Sequence, residues 1–395
     1  MSLPEDFEDI LGAAHEIGPK LAALAPDVDA RTGDIGETYD LLREAGFLKL
    51  VVPKRYGGAG LGFEHYWQVL AALAAYNGPA ALGLNMHNAV IGSMCDAADA
   101  PLPPMAENFR TWFFDEIVDG GKMFASASSE VGSGAKLMGL RTTYRPTEDG
   151  SGYVISGKKA FVSLARVADY YAVPARPEGS TDPGKISHFL VAREDDGVKF
   201  GEIYEMSAMY GTSTAGMSLD DVVVPAGRLF LGIEGMSLPK IIREPHWMIA
   251  GYTGAYLGIC EAIVRFVVDA MAAAPGRADS AVVQRNLGWM SARLAAARAL
   301  VFDAGRSIDA DRGSIEANAR VHAAKYVVGE LGPDLIREAV SLCGSAAVSR
   351  GKALERLIRE VQYCGVMPAK PDECLEYVGK AALGVNLYEE GAFSW

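Results

Sequence analysis

Apolar positions at the start of the chain recur with a helical period. Phe7, Ile10, Leu11, Ala14 and Ile17 fall at three- and four-residue spacing, which predicts one helix face, with Pro19 just beyond its end. A second helix is expected from about Asp34, with Tyr39, Leu42 and Ala45 on one face and Gly46 as its stop. Proline and three glycines in Leu50-Val-Val-Pro-Lys-Arg-Tyr-Gly-Gly-Ala-Gly-Leu61 force a loop. Phe63 to Ala75 and Pro79 to Met94 are apolar almost all round, the pattern of helices that are buried or lie at a subunit contact. Prolines from Pro101 to Pro104 break the chain, and a helix resumes near Met105.

From Lys122 to about Phe230 the period changes to two. Strands are expected at Arg141-Thr-Thr-Tyr-Arg145, Tyr153-Val-Ile-Ser156, Tyr170-Tyr-Ala-Val173, His188-Phe-Leu-Val191 and Met217-Ser-Leu-Asp-Asp-Val-Val-Val224. Turn signals stand at Glu148-Asp-Gly-Ser-Gly152, Ser156-Gly-Lys158 and Asp195-Asp-Gly197. After Gly235 the chain reads as helix again: His246–Ala274, Ser280–Ser307, Ile315–Gly329, Asp334–Cys343, Leu354–Val361 and Glu373–Leu387, with Pro275-Gly276 and Gly332-Pro333 separating antiparallel neighbours. The expected fold class is α+β: a helical block over 1–120, a small β-sandwich or barrel over 121–235, and a bundle of four or more helices over 236–395. Neither a repeat nor a low-complexity linker divides them, so the blocks are expected to pack as one unit.

Composition narrows the function. The 395 residues are 50% hydrophobic, enough for a large core, and the net charge of −13 argues against a broad nucleic-acid or anionic-membrane surface. No apolar run of about 18 residues exists for a membrane span, and Met1-Ser-Leu-Pro-Glu-Asp6 has no signal-peptide character, so a cytoplasmic location is expected. The five cysteines (Cys95, Cys260, Cys343, Cys364, Cys374) are scattered and read as reduced thiols, and neither they nor the six histidines have metal-ligand spacing.

The candidate chemistry lies between Lys122 and Ala168. Ser126-Ala-Ser-Ser-Glu-Val-Gly-Ser-Gly-Ala135 is dense in hydroxyls and backbone donors, and Gly157-Lys-Lys-Ala-Phe-Val-Ser163 sets an aromatic and a hydroxyl two residues apart on a strand. A flat cofactor ring with polar edges suits both. Gly132-x-Gly134 lacks the surrounding βαβ pattern of a dinucleotide fingerprint, and Gly134-Ala-Lys136 lacks the hydroxyl that follows a phosphate-loop lysine.

Six segments in order resemble the acyl-CoA dehydrogenase superfamily: Tyr56-Gly-Gly-Ala-Gly-Leu-Gly62, Asn85-Met-His-Asn88, Ser129-Glu-Val-Gly-Ser-Gly-Ala-Lys136, Tyr153-Val-Ile-Ser-Gly-Lys-Lys-Ala-Phe-Val-Ser163, Leu219-Asp-Asp-Val-Val-Val-Pro225 and Tyr256-Leu-Gly-Ile-Cys-Glu-Ala262. The resemblance implies FAD between the β block and the bundle, a homotetramer (a dimer of dimers), an acyl-CoA or related thioester substrate and an electron-transfer flavoprotein-like acceptor. It implies dehydrogenation in which a base removes the α-proton and flavin N5 accepts hydride from the β-carbon. Carried onto this chain, the cofactor residues are Ser129, Gly132, Gly134, Phe161, Ser163, Gln284 and Gly344. The match breaks at Ala135-Lys136 and at Arg277, and Ser341-Leu-Cys-Gly-Ser345 keeps one family glycine. It breaks most at the base. Pro368 stands at the ungapped position of the family glutamate; an inserted loop would bring Glu373 there, and Glu244 lies one turn before Met248, where some relatives carry the base. Two further readings stay open on this sequence: a reduced-flavin monooxygenase on the same fold, and a silent subunit paired with an active homologue.

Overall fold

A computed structural model describes Pro4 and residues 6–134, 136–248, 251–389 and 391–392. The first block holds α1 (Phe7–Asp29), α2 (Ile35–Glu44), α3 (Phe63–Ala74), α4 (Gly78–Asp96) and α5 (Pro104–Val118). The N-termini are fixed by side chains that accept orphan backbone N–H groups: Asp6 from Glu8 for α1, Asp34 from Gly36 for α2 and Asn77 from Ala80 for α4. Gly46, at φ 83°, follows α2 as expected. Pro19 does not end α1. The helix continues through it and through Pro26, because Leu21, Ala25 and Val28 extend the buried stripe and their burial outweighs the lost backbone hydrogen bonds.

The middle block contains β1 (Phe124–Ser126), β2 (Thr143–Pro146), β3 (Gly152–Val162), β4 (Tyr170–Pro177), β5 (Ser187–Ala192), β6 (Val198–Ile203) and β7 (Ala215–Pro225). They form one curled sheet in the order β1-β4-β2-β3-β7-β6, with β5 also paired to β4. Glu148–Gly152 makes the expected turn between β2 and β3. Ser156-Gly-Lys158 is not a turn: β3 runs through it with a register shift against β7 between Ile155 and Gly157. The β6 strand is absent from the sequence reading because its residues are partly or fully exposed and show little apolar alternation.

The last block departs from the expected helices in three places. His246–Ala274 is divided into α7 (Pro245–Met248), preceded by α6 (Ser237–Arg243), and α8 (Thr253–Ala273). Residues 249 and 250 lie outside those described. After α9 (Ala281–Ala310), the two helices expected on either side of Gly332-Pro333 are one, α10 (Ile315–Cys343). Gly332 serves there as a close-approach point, since a Cβ would come 2.9 Å from Val361 of α11 (Ala353–Val361). The final helix, α12, covers Pro371–Ala382 rather than reaching Leu387.

One hydrophobic core runs through all three blocks, from Ile10 and Leu42 through Phe113, Phe124, Tyr171 and Val222 to Trp247, Tyr256, Val301 and Leu335. His87 of α4 joins first and middle blocks: Nδ1 accepts from the Phe124 N–H at 2.9 Å and Nε2 donates to the Leu48 carbonyl at 2.7 Å. Burial pushes this imidazole down to about 4, so it stays neutral in the one tautomer that serves both bonds.

Candidate cofactor site

The two polar runs meet. After β1, Glu130 and Gly134 exchange backbone hydrogen bonds of 2.9 and 3.0 Å across a tight hairpin. Gly132 (φ 95°) and Gly134 (φ 61°) supply the left-handed conformations that this turn needs. The Ser129 carbonyl accepts from the Ala160 N–H at 2.8 Å, which stitches the hairpin to the end of β3. A buried ion pair makes a second stitch. Lys159 Nζ donates to Glu130 Oε1 and to the Pro174 carbonyl, both at 2.9 Å. Glu130 also accepts from the Arg141 and Thr142 N–H groups and the Thr142 hydroxyl. Burial alone would raise the Glu130 carboxyl; Lys159 and these donors reverse the sign and hold it below its usual range.

Beyond Lys159 the β3–β7 register shifts again, and the backbone becomes irregular. Phe161 and Leu164 adopt φ of 52° and 61°, and across from them Met209 and Ser213 adopt 62° and 50°. Leu164 and Ala165 donate to the Thr212 and Ser213 carbonyls at 2.8 Å, so the two strained segments hold each other. Four non-glycine residues in the left-handed region within one contact are a local cost that the surrounding fold must offset. The result is an aromatic ring left in the open: Phe161 is 60% exposed, with Tyr204 set edge-on against it at 5.1 Å, while Val162 is fully buried. Ser163 Oγ lies 3.0 Å from Thr214 Oγ1, which lies 2.9 Å from Thr212 Oγ1, and Ser126 and Ser128 form another hydroxyl pair at 2.8 Å. An uncovered ring bordered by hydroxyls and amides offers one apolar face and several hydrogen-bonding edges to a flat ligand.

The remaining candidates lie elsewhere. Gln284, in the first turn of α9, donates to the Ala278 carbonyl at 3.0 Å. Gly344 (φ 75°) ends α10, and Arg277 donates to the Leu342 carbonyl beside it at 2.6 Å. These three share one end of the bundle and bond within it. Glu373 Oε2 accepts the Lys370 N–H at 2.7 Å, closing the first turn of α12. Glu244 stands at the end of α6, where its carboxylate accepts from the Ser93 hydroxyl of α4. Burial pushes this carboxyl above its ordinary range against the opposing pull of Lys240, itself stacked on Phe230 at 4.7 Å. Ala135, the first residue of the Ala135-Lys136 departure, lies outside the described residues.

Three features escaped sequence reasoning. Glu130 and Lys159 are 29 positions apart, and nothing local marks them as partners. Thr212-Ser-Thr214 is a hydroxyl run legible in the sequence, but only the fold sets Thr214 beside Ser163. Lys325 of α10 is buried and donates to the Cys364, Met367 and Ala369 carbonyls at 3.1, 3.1 and 2.6 Å, fixing the loop that precedes α12.

Comparison with known proteins identifies the family. Family models for the acyl-CoA dehydrogenase N-terminal, middle and C-terminal domains match residues 11–98, 125–222 and 248–367. A 3-(aryl)acrylate reductase of Clostridium sporogenes is 26% identical over 361 residues, covering 90% of this chain and 91% of the relative. Two solved structures are each 23% identical: KijD3 in complex with FMN and a dTDP-linked amino-keto sugar, with a TM-score of 0.86 over 97% of this chain and 96% of that one, and butyryl-CoA dehydrogenase from Megasphaera elsdenii, with a TM-score of 0.83 over 97% and 98%. At that identity they speak to the fold, and with the three matched domains they agree on one conclusion. The chain belongs to the acyl-CoA dehydrogenase family.

Proposed function

We propose that this protein is a flavin-dependent oxidoreductase that removes the α-proton and β-hydride of an acyl thioester. The observation that carries the cofactor is the pairing of residues 126–134 with 159–163 around the uncovered Phe161 ring. Its exposure and strained backbone have no packing rationale, and a planar aromatic ligand supplies one. Phe161 would cover one ring face; Ser163, Ser129 and the adjacent backbone would meet the polar edge. When bound, a flavin supplies the hydride acceptor, and the protein's part is to orient and to move protons. FAD is the proposed form, with Gln284 and Gly344 facing a neighbouring subunit's cofactor in a homotetramer. Exposed Val268 and Val282 near that end of the bundle support a subunit contact there. An electron-transfer flavoprotein-like acceptor completes the reading.

Glu244 is the proposed base in preference to Glu373. A general base needs a desolvated carboxylate with a raised pKa. Burial gives Glu244 that property, and a neutral hydroxyl rather than an arginine holds it. Glu373 is engaged with the helix backbone. Anaerobic mixing with a panel of acyl-CoA thioesters tests the reading: flavin absorbance should bleach with at least one, and bleaching with none would sink it.

A second reading, the reduced-flavin monooxygenase, is favoured by one observation. The Gly365–Ala369 segment, where the family glutamate would stand, contains no carboxylate and is held by Lys325. Oxygen consumption with a flavin reductase and aromatic substrates, without any thioester bleaching, would select it.

A further inference from the structure

A cavity of about 800 Å³ opens between the end of α1, the middle of α8, the start of α11 and the segment before β7, within the size range of ligand sites. None of residues 126–134 or 159–163 lines it. The β6–β7 connection separates the two places: Tyr204 packs on Phe161, while Met206, Ser207 and Tyr210 face the cavity.

In a chain of net charge −13, cations outnumber carboxylates along these walls. Some are already held, since Arg359 is clasped by Asp29 and Glu355 and Arg31 by Glu205. Others keep capacity. The Arg350 side chain is 85% exposed and reaches Glu355 only at 4.0 Å, while that carboxylate serves Arg359 at 2.7 Å. Lys352 has no ion pair among the described residues. Arg356 is nearly buried and pairs with Glu360 at 2.9 Å. The other oxygen of Glu360 is buried without a hydrogen-bond partner beside a water-sized void, which it shares with the equally unpartnered Thr38 hydroxyl. The void and the cavity have Asp29 and Tyr210 in common. Tyr76, Tyr210 and Phe266 add aromatic surface to the same walls.

Forked guanidiniums suit phosphate oxygens, and aromatic side chains suit a base. We infer that this cavity binds a nucleoside diphosphate at a site separate from the Phe161 ring, with phosphates on Arg350, Lys352 and Arg356 and the base against the aromatic residues.

Calorimetric titration of the purified protein with ADP, inorganic pyrophosphate and adenosine tests the inference. ADP should bind once per chain, more tightly than either fragment and more weakly as salt rises. Combining Arg350→Glu with Lys352→Glu should weaken ADP by about tenfold or more, because like charges would then face the phosphates. Both side chains are exposed, so thermal unfolding should not move. Phe161→Ala should leave ADP binding intact. The inference is overturned if ADP does not bind, as when a second copy of the chain fills the cavity. It is also overturned if the double charge reversal has no effect, or if Phe161→Ala abolishes ADP binding.

Discussion

Glu130 and Lys159 show what one buried pair does for the candidate site. Each is almost fully buried, and removing either partner leaves an uncompensated charge, so Lys159→Met should cost roughly 3–5 kcal/mol of unfolding free energy in denaturant titrations. The pH dependence follows from Glu130, whose carboxyl Lys159 and the surrounding donors hold below its ordinary range in the folded protein despite its burial. A depressed carboxylate contributes stability above its unfolded pKa and loses it as pH falls through its folded value. Acid unfolding followed by circular dichroism should therefore steepen below the ordinary carboxylate range, and Glu130→Gln should flatten that limb. Phe161 is the contrasting case. At 60% exposure its ring contributes little to the core, so Phe161→Ala should change stability by no more than about 0.5 kcal/mol while lowering the flavin retained through gel filtration. Retention equal to wild type would remove Phe161 from the site. The sequence reading offers Phe161 and Ser163 because they stand two residues apart in one local run; the expectation that they share a strand fails, since β3 ends at Val162 and Phe161 takes a left-handed φ of 52°. It missed Glu130–Lys159 because only folding brings those charges together, and it could not choose between Glu373 and Glu244 because capping and desolvation are properties of the fold.

Elements were legible where their signals were local. The Asp34 and Gly46 ends of α2 and the turn at Glu148–Gly152 rest on caps and turn chemistry within a few residues. Prolines misled: Pro19 and Pro333 read as helix ends, yet both helices continue because their buried stripes continue on the far side. Gly157 misled in the same way, since glycine in a strand can mark a bulge as well as a turn. One junction was invisible to sequence. The Phe63 and Glu64 N–H groups that open α3 donate to Asp309 of α9 at 2.7 and 3.1 Å, a cap supplied from the other end of the chain. Asp309→Ala should cost about 1 kcal/mol in denaturant titrations, and Asp309→Asn should recover part of it. No loss on Asp309→Ala would mean that solvent satisfies those two donors equally well.

At the scale of the molecule, the order α, then β, then α was plain from the change of hydrophobic period, and the continuous core explains why no linker was found. A core shared by three blocks should unfold cooperatively: calorimetry should give one transition, and two well-separated transitions would contradict the shared core. The shared core also bears on function. α4 touches the β block at Phe124 through His87 and reaches Glu244 through Ser93, six residues or about 9 Å farther along the helix. One rigid element thus links the strand that leads into the Phe161 site with the proposed base. Anaerobic stopped-flow reduction by the best acyl-CoA substrate is the most direct test of this arrangement. The bleaching rate should rise with pH through a raised Glu244 pKa, since only the ionised carboxylate accepts a proton, and Glu244→Gln should abolish bleaching while flavin stays bound. Undiminished bleaching in Glu244→Gln would contradict it.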